Sequence, residues 1–221
     1  MSNGPVIIVG AGHGGYQVAA SLRQAGFSER ICLINDEAHL PYQRPPLSKA
    51  YIKGSAGPES LMFRPEKFYA DQKIELIAGR AVSIDRAGRR LHLASGEMLD
   101  YGHLVLATGA RNRLLDLPNA NLPDVKYLRI LDDSEALRTI MASKTRVVVI
   151  GAGFIGLEFA ATARIKGLEV DVLELAPRVM ARAVTSEGSE YFPARHREAG
   201  IRIPLGVQAT SIEAEDGKVT G

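Results

Sequence analysis

Cysteine occurs once in the 221 residues, at Cys32, so the chain forms no internal disulfide and carries no Cys-x-x-Cys redox pair. A basic excess is also missing. The 27 Lys and Arg stand against 25 Asp and Glu, a formal net charge of +2, which excludes a strong electrostatic footprint for nucleic acid. No apolar stretch approaches the ~18 residues of a membrane span. The longest candidate, Val147 to Leu157, stops at Glu158. Nor is a signal peptide expected: the first basic residue is Arg23, and glycines interrupt the apolar start. A cytoplasmic location with no membrane association is expected. The five histidines are scattered and join no Cys/His cluster, so no metal site is expected.

What is plentiful is glycine: 22 residues, about one in ten, against an average near 7%. Without matching Pro or Ser, this excess points to tight turns and phosphate loops rather than linkers. A hydrophobic content of 46% supports a real core.

The glycines fall into two copies of one pattern. Pro5 to Val9 is a short apolar run leading into Gly10-Ala-Gly-His-Gly-Gly15, then a helical pattern (Val18, Ala19, Leu22, Ala25) stopped by Gly26. A second apolar strand, Ile31 to Ile34, ends at Asn35-Asp36-Glu37. Further on, Arg146 to Ile150 leads into Gly151-Ala-Gly-Phe-Ile-Gly156, a helix over 157–166, Gly167, and a strand over 169–175 carrying Glu174. Continuous apolar strands of this kind suit a parallel sheet covered on both faces. In G-x-G-x-x-G the first Gly permits the tight turn, the second lets backbone approach a pyrophosphate, and the third packs helix on strand. Free N–H groups at the helix start bind phosphate, and an acid about 20 residues on accepts from ribose hydroxyls. Asp36 and Glu174 stand at that spacing, so both copies read as dinucleotide sites.

Between the copies the chain reads mainly as strands, over 74–77, 81–84, 90–93 and 104–107. The Pro- and Asn-rich segment 112–126 marks a domain boundary. Asp132-Asp-Ser-Glu135 opens a helix with Asp or Ser as N-cap, which explains the acidic pair better than catalysis does. A helical pattern over 186–199 contains Pro193, and a kink or break is expected there. Residues 214–221 read as a hairpin. Cys32 reads as a small buried residue, and His13 as a loop residue beside phosphates rather than a catalyst.

Three segments carry a family likeness: Leu40-Pro-Tyr-Gln-Arg-Pro-Pro-Leu-Ser-Lys49, Leu104-Val-Leu-Ala-Thr-Gly-Ala-Arg111 and Gly153-Phe-Ile-Gly-Leu-Glu158. They resemble the signatures of FAD-dependent NADH:ferredoxin reductases, in the putidaredoxin reductase-like, P450-linked branch. The resemblance implies an α/β fold of two Rossmann-like dinucleotide-binding domains, FAD-binding over 1–114 and NAD-binding over 115–221. It implies FAD and NAD as cofactors. The activity implied is electron transfer from NADH through FAD to a ferredoxin, an iron–sulfur protein serving a P450 or dioxygenase. The missing Cys pair argues against disulfide reductases.

By the same resemblance Gly10, Gly12, Gly14, Gly15, Asp36, Thr108 and Gly109 bind FAD, with Val82 and Arg129 lining its adenine and pyrophosphate side. Arg44 either positions its loop by hydrogen bonds or faces the cofactor. Lys49 lies near the flavin ring, where a cation favours the reduced anion. Read without the resemblance, it is a surface Lys after a Pro-rich turn. Gly151, Gly153, Gly156 and the N–H groups of Phe154 and Ile155 hold NAD, and Glu158 points toward the nicotinamide side. Its plain alternative is a solvated helix glutamate. Lys49 and Glu158 are expected to pair across the two domains and are the catalytic candidates. Glu174 repels a 2′-phosphate and so favours NADH, while Arg178 and Arg182 soften that repulsion. The resemblance also implies a Gly-Asp segment returning to the FAD domain, then a third domain. Neither occurs in these residues, so the chain is expected to match the first half of such a reductase. A fragment that binds NAD(H) without catalysis is the alternative. Oligomeric state is left open.

Overall fold

The computed structural model describes residues 4–221, which fall into two compact units. One comprises the chain up to Arg44 with Pro58–Arg111; the other comprises Pro45–Gly57 with Asn112–Gly221. In chain order the elements begin β1 (Val6–Val9), α1 (His13–Gln24), β2 (Ile31–Asn35), α2 (Ala50–Lys53) and α3 (Glu66–Asp71). Strands β3 (Ile74–Ala78), β4 (Ala81–Asp85), β5 (Arg90–Leu93), β6 (Met98–Asp100) and β7 (His103–Leu106) follow. The remainder is α4 (Leu131–Met141), β8 (Arg146–Ile150), α5 (Phe154–Ile165), β9 (Glu169–Leu173), α6 (Ser186–Glu198), β10 (Ala214–Glu215) and β11 (Lys218–Val219). Among the described residues no helix is long and apolar enough to cross a membrane.

The first unit is built on a parallel sheet in the order β3-β2-β1-β7. Its central strands β1 and β2 are apolar at successive residues because both faces are covered. Val6, Ile8, Ile31 and Leu33 pack with Ala19 of α1 and Tyr69 of α3. The alternate residues Ile7, Val9, Cys32 and Ile34 pack with Leu91, Leu93 and Leu99 of the antiparallel sheet β4-β5-β6. Cys32 is fully buried as expected, and burial pushes its thiol up to about 11.

One side chain closes the end of this unit. Arg23, in the last turn of α1, donates through Nη1 to the carbonyls of Phe27 (2.6 Å) and Glu29 (2.8 Å). Through Nε and Nη2 it donates to those of Gln72 and Lys73, both at 2.7 Å. Lys73 sits at φ 52°, a conformation a non-glycine residue holds only against some strain, and its carbonyl is one of those anchored.

In the second unit β8 and β9 pair in parallel, and residues 202 and 205 bridge to Asp171 and Glu174 on the other side of β9. The core joins Val170 and Val172 to Leu157, Ala160 and Ala163 of α5, Leu137 and Met141 of α4, and Ile52 of α2. Here the sheet departs from the expectation of two covered faces. Val147 and Val149 pack against the core, whereas Val148 and Ile150 are 46% and 45% exposed on the opposite face. The hairpin β10–β11 forms, turning through Asp216 and Gly217 at positive φ.

Two local expectations need correction. The helix after residue 130 starts at Leu131 with Ile130 as N-cap, and the acid works from inside: Asp133 accepts from the N–H groups of Arg129 (2.8 Å) and Ile130 (2.9 Å). The break at Pro193 does not occur, and α6 runs through it from Ser186 to Glu198. Three features offset the lost hydrogen bond. Pro193 is buried, Thr185 caps the helix by accepting from Gly188 N–H, and Arg195, His196 and Arg197 complement the dipole at its end.

Replacing Arg23 with Ala strips a charged donor from four carbonyls and is expected to lower unfolding free energy by about 1–3 kcal/mol. Arg23→Lys, lacking the planar fork, recovers part of this, as denaturant titration would show. Asp171 gives a pH dependence. Hydrogen bonds from Arg202 and, at 2.9 Å, Arg146 hold its carboxyl at about 2, below the ordinary 3.8. The native value is the lower one, so this stabilisation is complete above about pH 4 and disappears as pH falls toward 2. Unfolding measured across that window should lose this acid limb in Asp171→Asn.

Candidate functional site

The first glycine loop joins β1 to α1 under close constraint. Gly10 sits at φ +105°, and a Cβ there would stand 2.2 Å from the Ala107 carbonyl oxygen. A Cβ on Gly15 would stand 1.8 Å from the Gly10 oxygen. Gly12 differs, because a Cβ on it would meet nothing within 4 Å. Gly12 is also the N-cap of α1, and no side chain caps the helix. The first-turn amides of His13, Gly14 and Gly15 therefore border open space at the positive end of a 12-residue helix.

The sheet order brings other candidates to the same edge. β1 lies between β2 and β7, all parallel, so the carboxyl ends of the three strands coincide: Val9 is level with Ile34 and with Leu106. Asp36 is exposed just past β2, and Thr108 and Gly109 are exposed just past β7, with Gly109 at φ +67°. Carboxyl ends of parallel strands are where open α/β sheets bind ligands. Val82 lies elsewhere, in the antiparallel sheet at a register shift in β4, which leaves its side chain 58% exposed. Arg44 makes the hydrogen bonds of its positioning alternative. Its Nη2 donates to Glu37 Oε1 at 2.5 Å, and its guanidinium stands over the Tyr42 ring, whose hydroxyl donates to the same carboxylate. His13 packs edge-on against Phe63, which stacks on Tyr16.

The second loop repeats this geometry. Gly151 sits at φ +103°, a Cβ on Gly156 would stand 2.1 Å from the Gly151 oxygen, and Gly153 is an N-cap with open space around it. The helix begins earlier than the pattern over 157–166 suggests, at Phe154, so the amides of Phe154, Ile155 and Gly156 form its unpaired first turn. Both side chains ahead of Gly156 are exposed. Glu174 follows β9, with Oε2 accepting from Ala152 N–H (2.7 Å) and Oε1 from Ala176 N–H (2.8 Å). Arg178 is committed elsewhere. It donates to the Ala181 (2.6 Å) and Val184 (2.9 Å) carbonyls and to Ser189 Oγ (2.7 Å), leaving exposed Arg182 as the cation beyond this strand. Arg129 stands just ahead of α4, partly buried.

Lys49 and Glu158 meet. Nζ lies 2.9 Å from both carboxylate oxygens, so the expected pair forms. The pair forms inside one compact unit, because Pro45–Gly57 packs with 112–221. Three contacts not anticipated from sequence surround it. Ser48 Oγ donates to Glu158 Oε2 at 2.5 Å, Ser134 Oγ donates to the Leu47 carbonyl at 2.9 Å, and Tyr51 hydroxyl donates to Glu135. Burial and its bond to Glu135 push the Tyr51 hydroxyl above its ordinary range. The only sequence signal for Ser48 was its place beside Lys49.

Two units, each with a strand, an uncapped glycine loop, a helix and an acid after the next strand, define a dinucleotide-binding α/β protein. The chain matches the pyridine nucleotide-disulphide oxidoreductase family over residues 4–221 and belongs to it. Rhodocoxin reductase of Rhodococcus erythropolis is 49% identical over 98% of this chain and 51% of its own length. Putidaredoxin reductase of Pseudomonas putida is 41% identical over 99% and 53%. A crystallised ferredoxin reductase from Rhodopseudomonas palustris superposes with a TM-score of 0.96 at 71% identity, covering 98% of this chain and 54% of that one. The chain thus spans about half the length of the relatives it matches. Its fold is that of FAD/NAD(P)-binding reductases, and the family's cofactors are FAD and NAD(H).

The two glycine types separate by substitution. Gly153→Ala meets no protein atom and should cost under about 1 kcal/mol of stability. Gly156→Ala drives a methyl into backbone and should cost about 1–3 kcal/mol. Both should lose NADH affinity in fluorescence titrations, the first without a matching fall in melting temperature.

Proposed function

We propose that this chain is the nucleotide-binding part of an NADH:ferredoxin reductase, with FAD at the first glycine loop and NAD at the second. One observation carries the reading: both helix N-termini are bare of side-chain caps and face open space where a phosphate would sit. Gly10, Gly12, Gly14, Gly15, Asp36, Thr108 and Gly109 would hold FAD. Val82 and Arg129 would stand toward its adenine and pyrophosphate, and Arg44 would fix the loop beside it. Gly151, Gly153, Phe154, Ile155 and Gly156 would hold the NAD pyrophosphate, with Arg182 at its margin.

When bound, NADH supplies a hydride and FAD accepts it, releasing electrons singly. The protein's own groups orient and charge the site. Glu174 sets negative charge beside the ribose, which excludes a 2′-phosphate, and Arg178 is too committed to offset it. Lys49 brings a cation whose ion partner is Glu158. These two are the catalytic pair in this reading.

The acceptor we propose is a ferredoxin serving a P450 or dioxygenase, with the cytoplasm as setting. Relatives support this: one is the ferredoxin reductase for the CYP199A2 system, and another forms a covalent complex with putidaredoxin. The test is direct. The purified chain should be yellow, bleach on addition of NADH and respond weakly to NADPH. A colourless protein that still binds NADH would favour the non-catalytic NAD(H)-binding fragment, and one that binds neither nucleotide would overturn the assignment.

A further inference from the structure

Ser48 is a buried polar residue, only 5% exposed, and its hydroxyl is spent on one acceptor, Glu158 Oε2 at 2.5 Å. Lys49, its neighbour in the chain, reaches the same carboxylate from a half-exposed position. The segment that carries both is itself fastened on each side. Before Ser48, the Leu47 carbonyl accepts from the fully buried Ser134 of α4, and after Lys49 the Tyr51 hydroxyl donates to Glu135 of α4. The hydroxyl therefore approaches Glu158 from an anchored backbone. A hydrogen bond to an ionised acceptor from a buried, fixed donor restricts the carboxylate far more than a mobile ammonium does.

We propose that Ser48 is a positioning residue that fixes the Glu158 carboxylate, so that the Lys49–Glu158 pair is assembled before any nucleotide arrives. The inference rests on the proposed function only for its consequence in NADH binding. It explains why a half-exposed lysine, which would otherwise lose rotamer freedom for little return, has a set partner.

Acylation of Lys49 by a succinimidyl ester, followed by mass spectrometry on the chain without added nucleotide, reads the pair directly. Glu158→Ala sets the released rate. Ser48→Ala should raise the wild-type rate about two- to fivefold toward that limit, the range expected for losing a partly exposed ion pair. Ser48→Thr, which keeps the hydroxyl, should restore the wild-type rate, and Ser48→Ala should add nothing in the Glu158→Ala background. Should Ser48→Ala not fold, Ser48→Cys, a near-isosteric but weak donor, gives the same readout. NADH affinity should fall about tenfold in Ser48→Ala and recover in Ser48→Thr. A wild-type Lys49 rate in Ser48→Ala overturns the proposal, as does an added effect without Glu158 or an unchanged NADH affinity. If the wild-type chain binds no NADH, the proposed function fails and the labelling rates still decide the role of Ser48.

Discussion

Each nucleotide loop depends on a contact that only glycine allows. The third glycine of each motif packs against the carbonyl of the first, so closely that a Cβ would stand 1.8 Å away in one loop and 2.1 Å in the other. This contact sets the helix hard against the end of the strand. Each N-cap is itself a glycine with open space around it, so no side chain caps either helix and the first-turn amides stay unpaired. An ordinary helix would lose stability through such an end. In the first loop the sheet order compensates: β1 is gripped on both sides by parallel neighbours and buried on both faces, so the strand that launches the helix is held in place.

Carboxylates supply the next layer of constraint, and several act on backbone or on arginine rather than in water. Glu174 uses both oxygens on amides, one inside the second loop. Asp133 closes the start of α4 by accepting from two amides ahead of it, and α4 then fastens the segment that carries Lys49. Glu37 takes Arg44 and Tyr42 together. Asp171 takes two arginines and is held well below the ordinary carboxylate range as a result. Except for Asp171, which lies mid-strand in β9, these carboxylates order polar groups beside a strand end or helix start, which is where a nucleotide site needs rigidity.

These devices differ in how far they could be read from the chain. Strands β1, β2 and β8 were legible because their apolar residues are consecutive, and the loops because glycine spacing reflects close backbone contact. The first turn of α5 was not, since Phe154 and Ile155 are apolar yet exposed and break the periodicity that marks a buried helix face. Strand β6 is three residues long, too short for a period to show. Pro193 misled because helix-breaking is a local rule, and burial with capping outweighed it. Among site residues, Asp36 and Glu174 were marked by position after a strand. Ser48 was not, because its partner lies 110 residues away and only the fold brings the two together.

The run from Leu40 to Lys49 shows how one sequence signature serves two structural purposes. Up to Arg44 it belongs to the first unit, where the guanidinium, the Tyr42 ring and the Glu37 carboxylate hold it beside Asp36. From Pro45 it belongs to the second, where the Pro45–Ser48 turn places Leu47, Ser48 and Lys49 against α4 and α5. The paired prolines suit this division, since fixed φ angles limit the loss of freedom where the chain changes units. A residue read from motif alone as a flavin-side lysine is thereby held by the unit that carries the other nucleotide loop. Its charge is tied to Glu158, five residues beyond Gly153, so the same helix start that offers amides to a phosphate also fixes the carboxylate that Lys49 meets.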